Sequence, residues 1–264
     1  MKNWYRPFSL LVLVFILACG GLTNPEPTAT ATVVDPTETE PPTSTPVPTE
    51  TSTPPPTSTP DVTATAAVQA TEGATTVLTE LDNLLKDTEI PYEQGNLLWQ
   101  QTKPLSVEMS GPAEQNLLLS DVPSVGNFIL KSDVTWKATG LIVCGAIFRA
   151  EDDLKRGQHY WFGFLRFSGA PVWEIDFVEF GRFKNSISKT QSSVALDQAN
   201  NATNQFVLIA QDEQFNLYIN QHREGRYFDN SKQRLDGLVA FTGLQDSGTG
   251  SCTFENSWIW SLDE

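Results

Sequence analysis

Short runs rich in Val, Ile, Phe, Tyr and Trp fill the sequence from Asn96 onward, separated by clusters of Gly, Asn, Asp and Ser. Runs of this length and composition are typical of β-strands, and their close spacing is typical of a β-sandwich. We therefore predict an all-β fold of two packed antiparallel sheets. The predicted strands are Leu105–Met109, Gln115–Leu119, Gly126–Trp136, Leu141–Arg149, Tyr160–Phe167, Val172–Phe180, Gln205–Gln211, Gln214–Asn220, Leu238–Thr242 and Cys252–Trp260.

Two other kinds of sequence precede these strands. Residues 23–64 are nearly all Thr, Pro, Ser, Ala, Val, Asp and Glu, a composition that cannot bury a core. We predict a disordered Thr/Pro-rich stalk over residues 20–72, with a reach on the order of 100 Å when extended. Between Thr75 and Lys86 apolar residues recur at helical spacing, which predicts a short amphipathic helix at the start of a folded domain, residues 73–264. We expect the helix to pack on the edge of the domain, with partner binding as the alternative.

The first nineteen residues have the order of an export signal. Lys2 and Arg6 form a positive start, Leu10–Leu17 an apolar run too short to cross a bilayer, and small Ala18 precedes Cys19. This order resembles the bacterial lipoprotein signal, in which the cysteine receives the lipid. The resemblance implies a signal peptide and lipobox over residues 1–19, lipidation of Cys19, and anchoring on the extracytoplasmic side of a membrane, at the cell surface or facing the periplasm. An ordinary secretory signal or anchor is the alternative.

Three cysteines occur in the sequence. If Cys19 takes the lipid, Cys144 and Cys252 remain as a pair in an oxidising compartment, where disulfides persist. We predict a Cys144–Cys252 disulfide between the front of the domain and its last strand. Two separate buried thiols are the alternative.

The charge balance excludes one class of partner. The chain has 32 acidic and 17 basic residues, a formal net charge of -15, whereas a phosphate-binding surface needs clustered Lys and Arg. Nucleic acid is therefore not an expected partner. No metal or other cofactor is predicted: Glu151–Asp153 offers oxygen ligands suited to calcium, but a solvated loop is favoured, and His159 and His222 lack neighbours at zinc-ligand spacing.

The order of the core strands resembles a known family. The pieces that carry the resemblance are Phe128–Trp136, Cys144–Arg149, Tyr160–Phe164, Asn204–Ala210, Phe215–Asn220, Gly237–Ala240 and Phe254–Asn256. They look like the concanavalin A-like, laminin-G-like jelly roll, especially bacterial domains of the 3-keto-disaccharide hydrolase type, over about residues 100–262. The resemblance implies a two-sheet jelly-roll sandwich in a superfamily of lectins, adhesion modules, glycosidases and spacers. Gln221-His222 departs from the usual glycine turn, which predicts a longer or differently twisted hairpin there.

The string Glu174-Ile175-Asp176-Phe177-Val178-Glu179 looks like the E-x-D-x-x-E signature of family 16 glycoside hydrolases. That resemblance implies Glu174 as the nucleophile, Asp176 as its neighbour and Glu179 as the acid/base. Retaining hydrolysis requires two carboxylates about 5 to 5.5 Å apart. In a regular strand, however, Glu174 and Asp176 share a face that Glu179 does not, unless a bulge intervenes. A solvated strand is therefore the favoured interpretation.

Aromatic residues offer a different kind of site. Trp161 and Trp173 lie in predicted central strands with Arg149, and exposed indoles stack on sugar rings while nearby polar groups bind hydroxyls. Alternation places Trp161 on the opposite face from Tyr160 and Phe162, so one of these two sets belongs to the core. Trp161 and Trp173 are the preferred exposed candidates, with core packing as the alternative for each.

Together these patterns predict a lipid-anchored extracytoplasmic binding module that recognises glycans without catalysis. A family 16 glycoside hydrolase using Glu174 and Glu179 is one alternative. The other is a structural or adhesive surface module that binds an envelope protein.

Overall fold

The computed structural model describes residues 62–86, 88–167 and 170–263. Within these ranges an α-helix is followed by a short 3-10 helix, Tyr92–Gln94, and then by fourteen β-strands. The helix is α1 (Val62–Leu85), and the strands are β1 (Asn96–Gln100), β2 (Leu105–Ser110), β3 (Ala113–Leu118), β4 (Phe128–Ala138), β5 (Ile142–Ala150), β6 (His159–Phe167), β7 (Ala170–Glu179), β8 (Arg182–Ser186), β9 (Gln191–Ser192), β10 (Thr203–Gln211), β11 (Gln214–Ile219), β12 (His222–Phe228), β13 (Leu238–Gln245) and β14 (Thr249–Ser261).

The strands form two antiparallel sheets that pack face to face in a jelly-roll sandwich, which confirms the predicted fold class. The first sheet has the order β1-β14-β4-β10-β11-β12, and β2 also pairs with β14. The second sheet has the order β3-β13-β5-β6-β7-β8, and β9 pairs with β7. Each sheet therefore has one face toward the core and one outer face.

The core between the sheets is dense in aromatic residues because alternate side chains of each central strand point inward. On β6 the inward set is Tyr160, Phe162 and Phe164, each no more than 1% exposed. Cys144 on β5 and Cys252 on β14 form a disulfide, as predicted. Because β5 and β14 belong to different sheets, this bond ties the two layers together.

Helix α1 covers part of the outer face of the first sheet. Val77, Leu81 and Leu85 are at most 1% exposed and pack with Ile209 of β10 and Trp258 of β14 in one apolar cluster. Burying a leucine side chain contributes roughly 1.5 to 3 kcal/mol, so this stripe attaches the helix firmly. The expectation that the helix packs on an edge is wrong, because it packs on a sheet face.

The helix begins at Val62, well before the predicted start at Thr75. Residues 62–74 are rich in Ala and Thr and lack the apolar stripe on which the prediction depended, yet alanine favours helix strongly. The end of the predicted stalk, residues 62–72, is thus helical. The rest of the stalk, the signal segment and Cys19 lie outside the described residues. In the part of the chain that is described, no helix is both long enough and apolar enough to cross a membrane.

Four strands were not predicted: β1, β8, β9 and β12. The most consequential is β12, which is rich in charged residues, interrupted by Gly225 and paired only on one side. The β11–β12 hairpin is not longer than usual. Asn220 and Gln221 form a two-residue turn with φ values of 48° and 67°, as a tight type I′ hairpin requires.

Candidate functional site

A groove lies on the outer face of the first sheet, where the chain leaves α1 and passes β11 and β12. Its walls are the segment Thr88–Ile90, the β10–β11 turn Gln211–Gln214, and outward side chains of β11 and β12. The cavity is about 580 Å³, within the range of small-ligand pockets in proteins. We call this cavity the groove below.

Three cross-strand pairs form the floor and outer wall of the groove. The register of β11 with β12 places Gln214 opposite Phe228, Asn216 opposite Arg226, and Tyr218 opposite Arg223. On β11 these outward residues alternate with Phe215, Leu217 and Ile219, which are buried between the sheets. The strand therefore separates a polar outer face from an apolar inner one.

A β-bulge in β12 brings both arginines to the groove. Arg223 and Arg226 are separated by three positions and would face opposite sides of a regular strand. The register shifts between Leu217 and Tyr218, because β12 has the extra residue Glu224 at that point. Such a bulge changes the face of the strand on which the following side chains lie.

Glu224 holds the bulge from inside the sandwich. Its carboxylate accepts hydrogen bonds from Trp173 Nε1 at 3.0 Å and Ser193 Oγ at 2.6 Å. The next residue, Gly225, has no space for a side chain, since a Cβ there would approach the Tyr227 ring to 2.8 Å. Tyr227 in turn packs edge-on against Trp173, with ring centroids 5.4 Å apart.

Arg149 fixes the turn at the opposite end of the groove. The residue has a φ of 49° and is fully buried, with its guanidinium 5.5 Å from the Phe215 ring. Nη1 donates to the Asp212 carbonyl at 2.6 Å, while Nε and Nη2 donate to the Gly126 carbonyl at 3.0 and 2.8 Å. Arg149 therefore anchors the β10–β11 turn and does not reach the groove as a ligand-binding side chain.

Asn216 lies at the centre of the groove and has an unused donor. The residue is 2% exposed, and its Nδ2 has no hydrogen-bond partner among the described residues. Its Oδ1 accepts only a long bond of 3.5 Å from Arg223 Nη2. An unpaired buried amide is unfavourable by roughly 1 to 3 kcal/mol, so this donor is suited to a ligand acceptor.

Charge in the groove is divided between its floor and its rim. Burial raises the pKa of the Tyr218 hydroxyl, and the positive charges of Arg223 and Arg226 oppose that rise. At the rim, a hydrogen bond from its own backbone N–H and the ion pair with Lys232, at 3.4 Å, lower the pKa of Glu213. The groove thus has two cationic residues, Arg223 and Arg226, on β12, and three acidic residues, Glu89, Asp212 and Glu213, in its other walls, of which Glu213 is paired with Lys232.

The expected exposure of Trp161 and Trp173 is wrong. Trp173 is 0% exposed because it points into the core with Ile175 and Phe177, the alternate residues of β7. Trp161 is on the outer face of the second sheet but is only 5% exposed, since its indole lies over Gly163 and meets the edge of Phe183. Neither ring offers an open face for stacking.

The acidic string on β7 does not converge on one face. Strands β6 and β7 pair without a shift in register, so Glu174 and Asp176 lie on the outer face of the second sheet. Burial, with Glu174 nearby, raises the pKa of Asp176 to about 6, and a bond to Ser186 opposes this rise. The register places Glu179 on the opposite face of β7. Its carboxylate oxygens lie 2.9 Å from Lys184 Nζ and 2.8 Å from Gln158 Nε2. The catalytic role of these acids stays a prediction.

In the loop Glu151–Asp153, considered above for calcium, an acidic side chain accepts hydrogen bonds from nearby backbone N–H groups. Asp153 Oδ1 accepts hydrogen bonds from the N–H groups of Lys155 and Arg156, at 3.0 and 3.1 Å. Across the described ranges, no three His, Cys, Asp or Glu side chains are grouped closely enough to hold a metal ion.

Sequence reasoning missed every side chain on the floor of the groove. Two signals were available. The alternation of Gln214, Asn216 and Tyr218 with apolar residues marks a polar outer face on β11. An isolated glycine within a strand, here Gly225 between two arginines, indicates a bulge.

Comparisons with known proteins concern the fold. No family model and no curated protein matches the chain. The structure is similar to the carbohydrate-binding module CBM66 from Bacillus subtilis, with 17% identity over 62% of this chain and 96% of that chain and a TM-score of 0.47. It is also similar to sheep galectin-11 in complex with glycerol (10% identity, 55% and 98% covered, TM-score 0.36). A β-glucanase from Bacillus licheniformis is similar as well (11% identity, 64% and 87% covered, TM-score 0.44).

Proposed function

We propose that this chain is a lipid-anchored, extracytoplasmic module that binds glycans without catalysis, through the groove beside α1. The observation that carries the proposal is the buried Asn216 amide: its Nδ2 lacks a partner, and the residue lines a groove of about 580 Å³. Buried polar groups in folded proteins nearly always have partners, so an exception at the floor of a cavity indicates a ligand.

The chemistry of the lining favours a sugar over an apolar ligand. The floor and walls offer amides at Gln214 and Asn216, a phenol at Tyr218 and two exposed guanidinium groups. Sugar hydroxyls need several fixed donors and acceptors of this kind. Phe228, 48% exposed, adds an aromatic ring at the rim on which an apolar sugar face can rest.

The Glu213 carboxylate of the groove favours binding over hydrolysis. Glycoside hydrolysis needs a carboxylic acid whose pKa is raised enough to protonate the leaving oxygen. In the groove, Glu213 has a lowered pKa because its own backbone N–H and Lys232 stabilise the charged form. A permanently ionised Glu213 is suited to accepting hydrogen bonds from sugar hydroxyls.

Export and anchoring complete the proposal. The Cys144–Cys252 disulfide supports an oxidising compartment outside the cytoplasm. The order of Lys2, Arg6, the apolar run and Cys19 supports lipidation at Cys19, with the predicted stalk holding the domain away from the membrane.

A glycan array probed with the full chain in detergent micelles tests this function. We expect binding to a subset of glycans, and we expect Asn216→Leu, which keeps side-chain size but removes the amide, to weaken that binding at least tenfold. Asn185→Leu is the matched control, because Asn185 is an exposed asparagine on β8 of the other sheet. Absence of binding to every glycan on the array would overturn the proposal. Capture of an envelope protein by the same sample would then favour the adhesive alternative.

The hydrolase alternative is tested on the same preparation. Release of product from a β-glucan, abolished by Glu174→Gln, would overturn the noncatalytic assignment. Intact polysaccharide after prolonged incubation would support it.

A further inference from the structure

Two arginines in the groove lack acidic partners in a strongly acidic protein. The chain has 32 Asp and Glu against 17 Lys and Arg, and neighbouring cations such as Lys232 and Arg234 form ion pairs. By contrast, within the described residues the side chain of Arg226 makes no hydrogen bond or ion pair, and that of Arg223 makes only the 3.5 Å bond to Asn216. Both side chains are exposed and available to a ligand.

The positions of these arginines are built into the fold. The extra residue Glu224 brings both to one face, and its carboxylate is only 5% exposed, held by Trp173 and Ser193. Arg223 lies opposite Tyr218 and Arg226 lies opposite Asn216, two residues apart on the same outer face of β11. Their position on one face is thus a consequence of the backbone.

On this face the side chains of Arg223, Arg226 and Asn216 offer hydrogen-bond donors, whereas the acidic lining residues belong to the segment Thr88–Ile90 and to the β10–β11 turn. Asn216 Nδ2 is unpaired at the floor, and both guanidinium groups can only donate. The complementary ligand group carries acceptor oxygens and negative charge. A planar carboxylate matches the fork of an arginine better than a hydroxyl does, because two parallel N–H···O bonds form at once.

We infer that the groove selects acidic glycans, with a sugar carboxylate bound between Arg223 and Arg226 and within reach of Asn216 Nδ2. This inference rests on the proposed glycan-binding function and adds the chemical class of the ligand. Neutral regions of the same glycan then lie toward Phe228 and Gln214.

Calorimetry with paired ligands isolates the role of the carboxylate. The full chain is titrated with tetragalacturonic acid and tetramannuronic acid, and with the methyl ester of each, which keeps the sugar but removes the charge. At least one free acid is expected to bind ten or more times tighter than its ester. This preference should decrease as sodium chloride rises from 50 to 500 mM, because salt screens exposed charges.

Variants assign the preference to the groove. The double variant Arg223→Gln/Arg226→Gln should lose the preference for acid over ester, and thermal unfolding checks that it still folds. Arg182→Gln, an exposed arginine on β8 outside the groove, should keep it. A sulfated oligosaccharide serves as a third ligand, and tighter binding of sulfate than of both acids would overturn the carboxylate assignment.

The two proposals fail in different ways. Binding of acid and ester with equal affinity, for both sugars, would overturn the acidic-glycan inference while the glycan-binding function stands. A protein that binds no glycan on the array and neither acid nor ester in calorimetry would overturn both.

Discussion

Trp173 and Arg149 lie inside the sandwich, yet each holds one end of the groove. Trp173 donates to Glu224 at the bulge, and Arg149 donates to the Asp212 carbonyl at the β10–β11 turn. Both side chains are fully buried, and a buried polar atom needs a partner. Those partners belong to the segments around the groove. Substitutions at these two positions are therefore expected to change the shape of the groove, although neither residue lines it.

Trp173→Phe tests this indirect control. The change keeps an aromatic ring in the core but removes the 3.0 Å bond to Glu224. We expect a decrease of about 1 to 3 kcal/mol in the free energy of unfolding, together with weaker glycan binding, because Glu224 then keeps the bond from Ser193 but loses the bond from Trp173, so the bulge is held less firmly. Urea unfolding and calorimetry measure the two effects.

Trp136→Phe is the matched control. Trp136 is also fully buried, and its Nε1 donates to the Ala199 carbonyl at 2.9 Å, outside the groove lining. A similar loss of stability with unchanged binding is expected. If both variants bound as well as the parent protein, the control assigned to Trp173 would be wrong.

Asp176 and His159 make the stability of the fold depend on pH in opposite directions. Burial raises the pKa of Asp176 to about 6, above the unfolded value of about 4, so this residue lowers stability as pH rises through that window. Burial, with Arg234 nearby, lowers the pKa of His159 to about 4, so this residue lowers stability as pH falls from about 6.5. Between about pH 4 and pH 6 the two effects oppose each other.

Asp176→Asn separates these effects. At pH 7 the variant should be more stable by roughly 1 to 3 kcal/mol, because a buried charge is removed, and near pH 4 the gain should disappear. Its stability should also fall more steeply than that of the parent protein below pH 6, since His159 then acts alone. Urea unfolding at intervals from pH 4 to pH 7 measures both slopes, with Glu108→Gln, an exposed carboxylate on β2 of the other sheet, as the control. Equal gains at pH 4 and pH 7 would contradict this account.

At the scale of elements, α1 covers part of the first sheet and leads into the segment that forms one wall of the groove. Its apolar stripe packs on the first sheet, and Glu80 adds contacts of 3.2 Å to Lys131 and 3.0 Å to Trp258 Nε1. The segment Thr88–Ile90, which follows the helix, lines the groove. The position of this wall therefore depends on how firmly the helix is attached.

Leu81→Ala measures that attachment. Leu81 is 1% exposed, and truncating a buried leucine lowers stability by about 2 to 5 kcal/mol. Asn83→Ala, on the exposed side of the same helix, should change it by no more than about 0.5 kcal/mol. Urea unfolding of the two variants makes the comparison, and equal effects would show that the helix contributes little to the fold.

Apolar composition was sufficient to predict the central strands and insufficient at the edges. Strands such as β6 and β10 are buried on both faces, and the continuous apolar runs that result are visible in the sequence. In β12 the exposed charges and Gly225 hide the strand. The bulge depends on Trp173 meeting Glu224 across 51 positions of sequence, a tertiary contact that local patterns do not contain.

At the scale of the whole molecule, the disulfide and the groove both lie in the part of the chain that follows the predicted stalk. The disulfide closes a span of 108 positions and joins the two sheets, which constrains the unfolded chain substantially. The contacts that build the groove, from Arg149 to Glu224, all lie within the described domain. Ligand binding and membrane attachment should therefore be separable.

Cys19→Ala tests this separation. A diacylated or triacylated cysteine retains a protein on the membrane because each buried methylene adds about 0.8 kcal/mol, and removing the acceptor thiol removes every chain. We expect the variant to move from the membrane fraction to the soluble fraction, while its glycan affinity stays unchanged. Fractionation of expressing cells followed by calorimetry gives both readouts. Cys144→Ala/Cys252→Ala, which changes two cysteines but keeps Cys19, should remain on the membrane, and a Cys19→Ala protein that stayed there as well would show that something other than the lipid anchors this chain.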